Sequence, residues 1–384
     1  MPDTETMYGS LKIKNPLVVA SAGTSEHLEL IKKAEEMGAA AVVMKTLFEE
    51  EYTRKNPTPC YSLIRRKGGP MHSSTFYSFE QASPWDLERY ADEVHRTVKE
   101  VSIPVIASIN CVSDQAWADY ASCLEEAGAE ALEINRSCPF SKIMMEGKDS
   151  WTAAAIETVK LVKDKVSIPV CAKFTPQLTD PLLTAVSLDK AGADGLVMFS
   201  RFTGLDIDLE KEAPIMHGGI AGHGGPWAIH YALRWISAAA PQVDLPISGS
   251  GGVCCGEDII KYILSGASSV QICTSIYMEG FKVIKAYLKK LDDFMVGKGY
   301  SEIEQFRGAI CAKVIPPDQV NRTRARVARI DEDSCTNCGI CEKVCLHQSA
   351  FTGGENAYIV HQDCVGCGLC AELCPQSAIK MTGI

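Results

Sequence analysis

Short apolar runs recur along most of the chain, and stretches with helical periodicity separate them. The runs predict strands at Leu17 to Ala20, Ala41 to Met44, Val105 to Ile109, Ala131 to Ile134, Val170 to Ala172, Leu196 to Phe199, Pro246 to Ile247 and Val270 to Cys273. Between them the spacing predicts helices over His27 to Met37, Pro84 to Glu100, Trp117 to Glu126 and Trp151 to Val166. Two punctuation marks repeat. Gly-Ala closes a helical stretch at Gly38-Ala39, Gly128-Ala129, Gly192-Ala193 and Gly266-Ala267, and Val-x-Ile/Leu-Pro leads into a strand at Val101 to Pro104, Val166 to Pro169 and Val243 to Pro246. Glycine suits the residue after a helix C-cap, and proline stops a helix and opens extended chain. Strands alternating with helices in this way predict a parallel α/β fold, and this number of units predicts a TIM (β/α)8 barrel; a doubly wound open sheet is the alternative.

Barrel enzymes build their sites where the strands end. Those positions hold Ser21-Ala22-Gly23, Lys45-Thr46, Asn110, Asn135, Lys173, Ser200-Arg201, Gly249-Ser250-Gly251-Gly252 and Thr274-Ser275, all polar or small. Lysines and asparagines on one side, with glycine-rich backbone and hydroxyls on the other, suit a polar ring cofactor that carries a phosphate.

The chain has 384 residues, enough for such a barrel and a small second domain, and 17 cysteines. Met1 to Ser10 lacks an apolar signal core and no apolar stretch is long enough to span a bilayer, so a cytoplasmic address and no membrane partner are expected. The net charge of −10 argues against a nucleic-acid partner, which would require clustered cations. In a reducing compartment this cysteine usage points to metal and redox chemistry. Eight of the cysteines form two CxxCxxCxxxC runs, Cys335, Cys338, Cys341, Cys345 and Cys364, Cys367, Cys370, Cys374. Zinc prefers paired CxxC knuckles, so the repeated array points to two [4Fe-4S] clusters and one-electron transfer. The runs resemble the two-cluster ferredoxin pattern, in which the fourth cysteine ligates the other cluster. That resemblance implies one cluster on Cys335, Cys338, Cys341 and Cys374, and another on Cys364, Cys367, Cys370 and Cys345. The first run ends in Cys345-Leu346 where the pattern has Cys-Pro. The expected division is a barrel over 1–310, a linker over 311–330 and a ferredoxin-like domain over 331–384.

The barrel resembles the FMN-dependent dihydroorotate and dihydropyrimidine dehydrogenases over about residues 8–310. The likeness rests on Asn15-Pro16-Leu17, Ala20-Ser21-Ala22-Gly23, Lys45-Thr46, Ile106 to Asn110, Glu133-Ile134-Asn135-Arg136-Ser137-Cys138-Pro139, Ala172 to Pro176, Gly218 to Gly222 and Ser250-Gly251-Gly252. Dihydropyrimidine dehydrogenases also carry a ferredoxin-like tail. The resemblance implies FMN contacts from Ala20, Ser21, Lys45, Thr46, Asn110, Asn135, Lys173, Gly222, Gly251, Gly252, Thr274 and Ser275. It puts Lys173 near the flavin N1 and O2 edge, where a fixed cation stabilises the charge gained on reduction. It makes Cys138 the active-site acid of an enzyme that interconverts an activated C=C bond and its saturated form. A thiol with a pKa of about 8.5 is mostly protonated at neutral pH and suits that task. Ser137 and Asn135 would orient the thiol or the substrate, and the polar, Met-rich stretch from Pro139 to Ser150 would act as a lid.

The departures bear on substrate. Pyrimidine-binding members carry leucine at Arg136, Asn or His at Phe140, and Asn followed by Ser or Thr at Ser200-Arg201. Lost amides and gained guanidinium groups favour an anionic substrate clamped by Arg136 and Arg201, beside Ser200. His72, His217 and His223 fall in loops at the same end and are further candidates. Cys254-Cys255 reads as packing near a phosphate loop, and Cys60, Cys111, Cys123, Cys171, Cys273 and Cys311 show no ligand spacing. The basic positions Arg322, Arg324, Arg326 and Arg329 read as a solvated linker face. No strand-to-helix GxGxxG is evident, so electrons are expected from ferredoxin or from a separate NAD(P)H-oxidising flavoprotein subunit, in a homodimer or hetero-oligomer. Two other readings fit the sequence. One is a tRNA dihydrouridine synthase-like enzyme, which the acidic charge disfavours; the other is an electron-transfer subunit of a larger complex.

Overall fold

A computed structural model describes residues 2–51, 61–68, 71–78, 84–136, 151–215, 221–321, 323, 326–352 and 357–383. Among them no helix is long and apolar enough to cross a membrane. The chain divides into two compact units, one of Met1–Arg66 with Ser73–Val314 and the other of Lys67–His72 with Ile315–Ile384.

The eight apolar runs form the parallel strands β1 (Leu17–Val19), β2 (Ala41–Val43), β3 (Val105–Asn110), β4 (Ala131–Asn135), β5 (Val170–Phe174), β6 (Gly195–Met198), β7 (Ile247–Ser250) and β8 (Ser269–Ile272). Each pairs with the next, and β8 returns to β1 through Gln271↔Val18, so the sheet closes into a (β/α)8 barrel. The helices around it are α1 (Leu28–Glu36), α2 (Leu87–Glu100), α3 (Asp114–Glu126), α4 (Trp151–Lys163), α5 (Pro181–Lys190), α6 (Ile229–Ala239), α7 (Gly256–Leu264) and α8 (Val283–Lys298). The Gly-Ala signature is explained at Gly38 and Gly266, whose φ of 100° and 106° are left-handed values that end α1 and α7. Ser113, Asp86 and Asp180 cap α3, α2 and α5 by accepting from the backbone of Ala116, Arg89 and Leu183.

The strands read as continuous apolar runs because both faces are buried. Their alternation sorts the side chains into two layers. Leu17, Val42, Ala107, Leu132, Val170 and Leu196 face the helices, whereas Val18, Val43, Ile106, Ala131, Cys171 and Val197 fill the barrel interior. A hairpin of Thr6–Tyr8 and Leu11–Ile13 adds Tyr8 and Ile13 to that interior cluster. The same parity turns Ser108, Glu133, Lys173 and Gln271 inward, so a buried polar layer lies above the apolar one. Near the strand C-termini, an antiparallel sheet joins Phe202–Gly204, Ala221–Gly224 and the hairpin of Tyr61–Gly68 with Met71–Ser78.

In the second unit, Arg326–Ile330 pairs with Ile379–Gly383, and Ala350–Phe351 pairs with Tyr358–Ile359. This differs from the sequence expectation, which leaves 326–330 in the linker. The reason is burial: Val327 and Ala328 pack with Ala350, Ala357 and Ile379 in a small core that also includes cluster-run cysteines, while Arg326 and Arg329 point outward.

Candidate active site

Two adjoining cavities open at the C-terminal ends of the strands. The smaller, of about 70 Å³, is lined by Ala20, Ser21, Lys45, Thr46, Asn135, Lys173, Ser200 and Arg201 among others. The larger, of about 300 Å³, includes Gly251, Gly252, Thr274 and Ser275, and its walls include Phe76, Phe199, Phe202 and Tyr231. The two share Phe199, Ser200, Arg201, Ser250 and Cys273, so they meet along one side of the mouth.

A hydroxyl and amide chain organises the smaller cavity. Ser21 and Thr46 hydroxyls lie 2.7 Å apart, Thr46 and Ser108 hydroxyls 2.8 Å apart, and Asn135 Nδ2 donates to Thr46 Oγ1 at 3.1 Å. Asn110 stands one step behind, its Nδ2 donating to the Asn135 carbonyl at 2.6 Å. Lys173 is buried and its Nζ donates to Glu133 Oε1 at 3.0 Å and to Gln271 Oε1 at 2.9 Å. At the glycine end, φ is +108° at Gly251 and +73° at Gly252, values that open the backbone toward a ligand at little cost only for glycine.

Arg201 lines both cavities, and its Nη1 donates to Ser78 Oγ at 2.6 Å. Gly222 lines neither cavity; it supports the Arg201 side chain from behind. Arg136 corrects the expectation of a two-arginine clamp. It follows the inward Asn135, so strand alternation turns it outward, where its Nη1 donates to Thr158 Oγ1 of α4 at 2.5 Å. Its guanidinium is buried against that helix and lines neither cavity.

His223 lines the larger cavity, stacked on Tyr77 with ring centroids 5.7 Å apart and an interplanar angle of 18°. Burial lowers its pKa, and its Nδ1 has no hydrogen-bond partner among the described residues. Cys254 and Cys255 lead into α7, where Asp258 Oδ2 accepts from both backbone amides at 3.0 and 3.3 Å. Burial and the Asp258 carboxylate push the Cys254 thiol up to about 12, and Lys261 occupies the other Asp258 oxygen, so the group is a helix cap. Burial likewise raises the thiols of Cys111, Cys123, Cys171 and Cys311. Ser137, Cys138, Phe140, the proposed lid, His217 and Cys60 lie outside the described residues, as does the side chain of His72.

In the second unit, Cys335, Cys338, Cys341 and Cys374 line one hollow, and Cys345, Cys364, Cys367 and Cys370 line another. Each hollow therefore takes three cysteines from one run and the last cysteine of the other. Backbone amides of Ser349 and Ala378 donate to Cys345 Sγ and Cys374 Sγ, both at 3.3 Å. Burial raises the Cys345 thiol, but hydrogen bonds from Ser349 and neighbouring amides outweigh it and leave the pKa lowered, as suits a thiolate ligand. The residues that sequence reasoning missed are Glu133, Gln271, Tyr8 and Ser78. Their signal was weak: a lone acid or amide within an apolar strand marks an inward polar position.

A closed parallel barrel with polar strand ends, joined to two four-cysteine hollows, defines a flavin and iron–sulfur oxidoreductase. A dihydroorotate dehydrogenase family model matches residues 4–295, and a 4Fe-4S dicluster domain model matches residues 328–381. The chain belongs to the dihydroorotate dehydrogenase family. The catalytic subunit of dihydroorotate dehydrogenase B (NAD(+)) from Pyrococcus abyssi is 32% identical over 302 residues, covering 78% of this chain and 96% of that protein. The NAD-dependent dihydropyrimidine dehydrogenase subunit PreA of Escherichia coli K12 is 28% identical over 367 residues, covering 92% of this chain and 87% of that protein. The cofactors are FMN and two [4Fe-4S] clusters, and the chemistry is that of an oxidoreductase acting on CH-CH groups. The site fits FMN in donor chemistry: hydroxyl, amide and ammonium groups at one end suit a polar ring, and open glycine backbone at the other suits a phosphate.

Proposed function

We propose that this enzyme interconverts a C=C bond conjugated to a carbonyl and its saturated form, in a small substrate that carries a carboxylate. The single observation behind the anionic substrate is Arg201, a guanidinium held at the junction of the two cavities by Ser78. A carboxylate there would meet a fixed positive charge, which amide readers do not supply. Orotate satisfies the requirement as well as an open-chain unsaturated acid does.

Bound FMN supplies hydride exchange at N5 and converts between paired and single electrons. Ala20, Ser21, Lys45, Thr46, Asn135 and Lys173 would hold its ring, and Gly251, Gly252, Thr274 and Ser275 its phosphate. In the reductive direction Cys138 gives a proton to the carbon next to the one that receives hydride, and in the oxidative direction its thiolate takes that proton back. Asn135 orients the reacting face through its bond to Thr46. Cys335, Cys338, Cys341 and Cys374 would hold one cluster and Cys345, Cys364, Cys367 and Cys370 the other. Bound there, the clusters would supply one-electron transfer toward a partner, either ferredoxin or an NAD(P)H-oxidising flavoprotein subunit. Both relatives described above are named as subunits, which supports a partner chain.

The test is anaerobic reduction of the holoenzyme followed by spectral reoxidation with orotate, fumarate, other unsaturated acids and uracil. Reoxidation by a carboxylate, abolished in Cys138→Ala while the clusters still reduce, is the expected result. Reoxidation by uracil alone would overturn the anionic-substrate reading.

A further inference from the structure

Glu133 is a carboxylate with 0% of its surface exposed, set in the middle of the barrel. Burying one ion costs several kcal/mol unless its partners compensate, so an isolated acid here would be expelled from the fold. Its partners are complete. Oε1 accepts from Lys173 Nζ at 3.0 Å; Oε2 accepts from Tyr8 Oη at 2.9 Å and from Gln271 Nε2 at 2.6 Å. Gln271 turns its own oxygen to Lys173 at 2.9 Å, so two of the three ammonium donors are committed to this network. Burial and the Glu133 charge push the Tyr8 hydroxyl pKa up, which keeps it a donor.

The third donor has a destination. Lys173 lines the smaller cavity together with Lys45 and Arg201, and no carboxylate lines that cavity among the described residues. The titratable groups that face Lys173 are therefore Glu133 and Tyr8 beneath it, Cys171 deeper in the barrel, and Lys45, Arg201 and Cys273 around the cavity. Glu133 is the negative member of the set. A cavity with three cations would stabilise any ligand that gains negative charge, and an anion directly beneath one of them reduces that preference.

We propose that Glu133 is a positioning and counter-charge residue for the redox cofactor. It fixes the Lys173 ammonium so that one N–H faces the flavin ring, and it offsets part of the ammonium charge, which keeps the bound flavin a stronger reductant. The inference rests on the flavin ring occupying the smaller cavity.

The experiment measures dissociation constants of oxidised and reduced FMN, and the midpoint potential of bound FMN, in the holoenzyme and in Glu133→Gln, Lys173→Gln and Tyr8→Phe. Glu133→Gln is expected to favour reduced over oxidised FMN by a further tenfold, a potential about 30 mV more positive for a two-electron couple. Lys173→Gln should move the ratio at least tenfold the other way. Tyr8→Phe, which removes one donor to Glu133 and leaves its charge less screened, should move it a few-fold in the same direction as Lys173→Gln. A Glu133→Gln protein with an unchanged ratio, while Lys173→Gln shifts it, would make Glu133 purely structural and overturn the proposal. If Glu133→Gln does not fold, an unchanged ratio in Tyr8→Phe overturns it equally. An unchanged ratio in Lys173→Gln overturns the ring placement on which the inference rests.

Discussion

The Arg201 side chain lies across the backbone of Gly222, where an added Cβ would stand 2.6 Å from Nε and 2.7 Å from Cζ. The glycine clears the space that the guanidinium occupies. Gly222→Ala should displace a flexible side chain and leave the fold intact, so the melting temperature stays close to wild type while KM for a carboxylate substrate rises about tenfold, the equivalent of about 1.4 kcal/mol. Steady-state kinetics beside a thermal melt checks this.

Arg201→Met removes the guanidinium itself. Hydrogen bonds to charged groups contribute about 1.5–3 kcal/mol, so kcat/KM should fall roughly ten- to a hundredfold for the acid. The corresponding neutral amide should lose much less, and comparing the two substrates in one variant separates lost recognition from general damage.

Gly252 combines a φ of +73° with an ideal Cβ position that collides with the Ile229 backbone nitrogen. The other near atoms are the Ile229 Cα and Cβ, which the backbone fixes and which cannot swing away. Gly252→Ala is therefore expected to lose about 1–3 kcal/mol of stability through backbone strain and to purify with markedly less FMN. Flavin absorbance per chain and a denaturant melt measure both effects.

The hollows in the second unit predict crossed losses. Cys374→Ser should remove the cluster associated with Cys335, Cys338 and Cys341, and Cys345→Ser the one associated with Cys364, Cys367 and Cys370. Each variant should keep half the iron. Combining Cys374→Ser with Cys341→Ser should then cost no further cluster, whereas combining it with Cys345→Ser should abolish both.

His223 makes stability depend on pH. Burial depresses its folded pKa below the unfolded value of about 6.5, so the unfolded chain binds the proton more readily. The stability held by the neutral ring is present above about pH 6.5 and is lost as pH falls through the lower folded pKa. His223→Phe keeps the stack on Tyr77 and removes the titration, so its melting temperature should fall less than wild type between pH 7.5 and about pH 5.5. Equal slopes for the two proteins would contradict this.

Much of the barrel is legible in the chain because its strands are buried on both faces and its helices end at glycine. Leu17–Val19, Ala41–Val43 and Ser269–Ile272 stand where the apolar runs predict them. Several of the strand-end residues, among them Ser21, Lys45, Thr46 and Ser200, line a cavity, because a polar residue directly after a buried run can face the mouth. Arg136 shows where this reasoning fails. It too follows a strand, but a single step of alternation sends it to Thr158 on α4. Arg326–Ile330 fails differently, because its exposed arginines read as linker while Val327 and Ala328 between them join a core that the run does not announce.

The sequence by itself determined the two cysteine arrays, the strand and helix rhythm, and the chemical types at the mouth, because local spacing and periodicity carry them. Only the tertiary structure decided which of those residues meet. Tyr8, Glu133, Lys173 and Gln271 are scattered along the chain, and closure of the sheet brings their polar atoms within hydrogen-bond reach. The same holds for Arg201 on Ser78. Spacing along a chain fixes neighbours on one helix or strand; contacts between distant segments exist only once the barrel has closed and each strand's register is set.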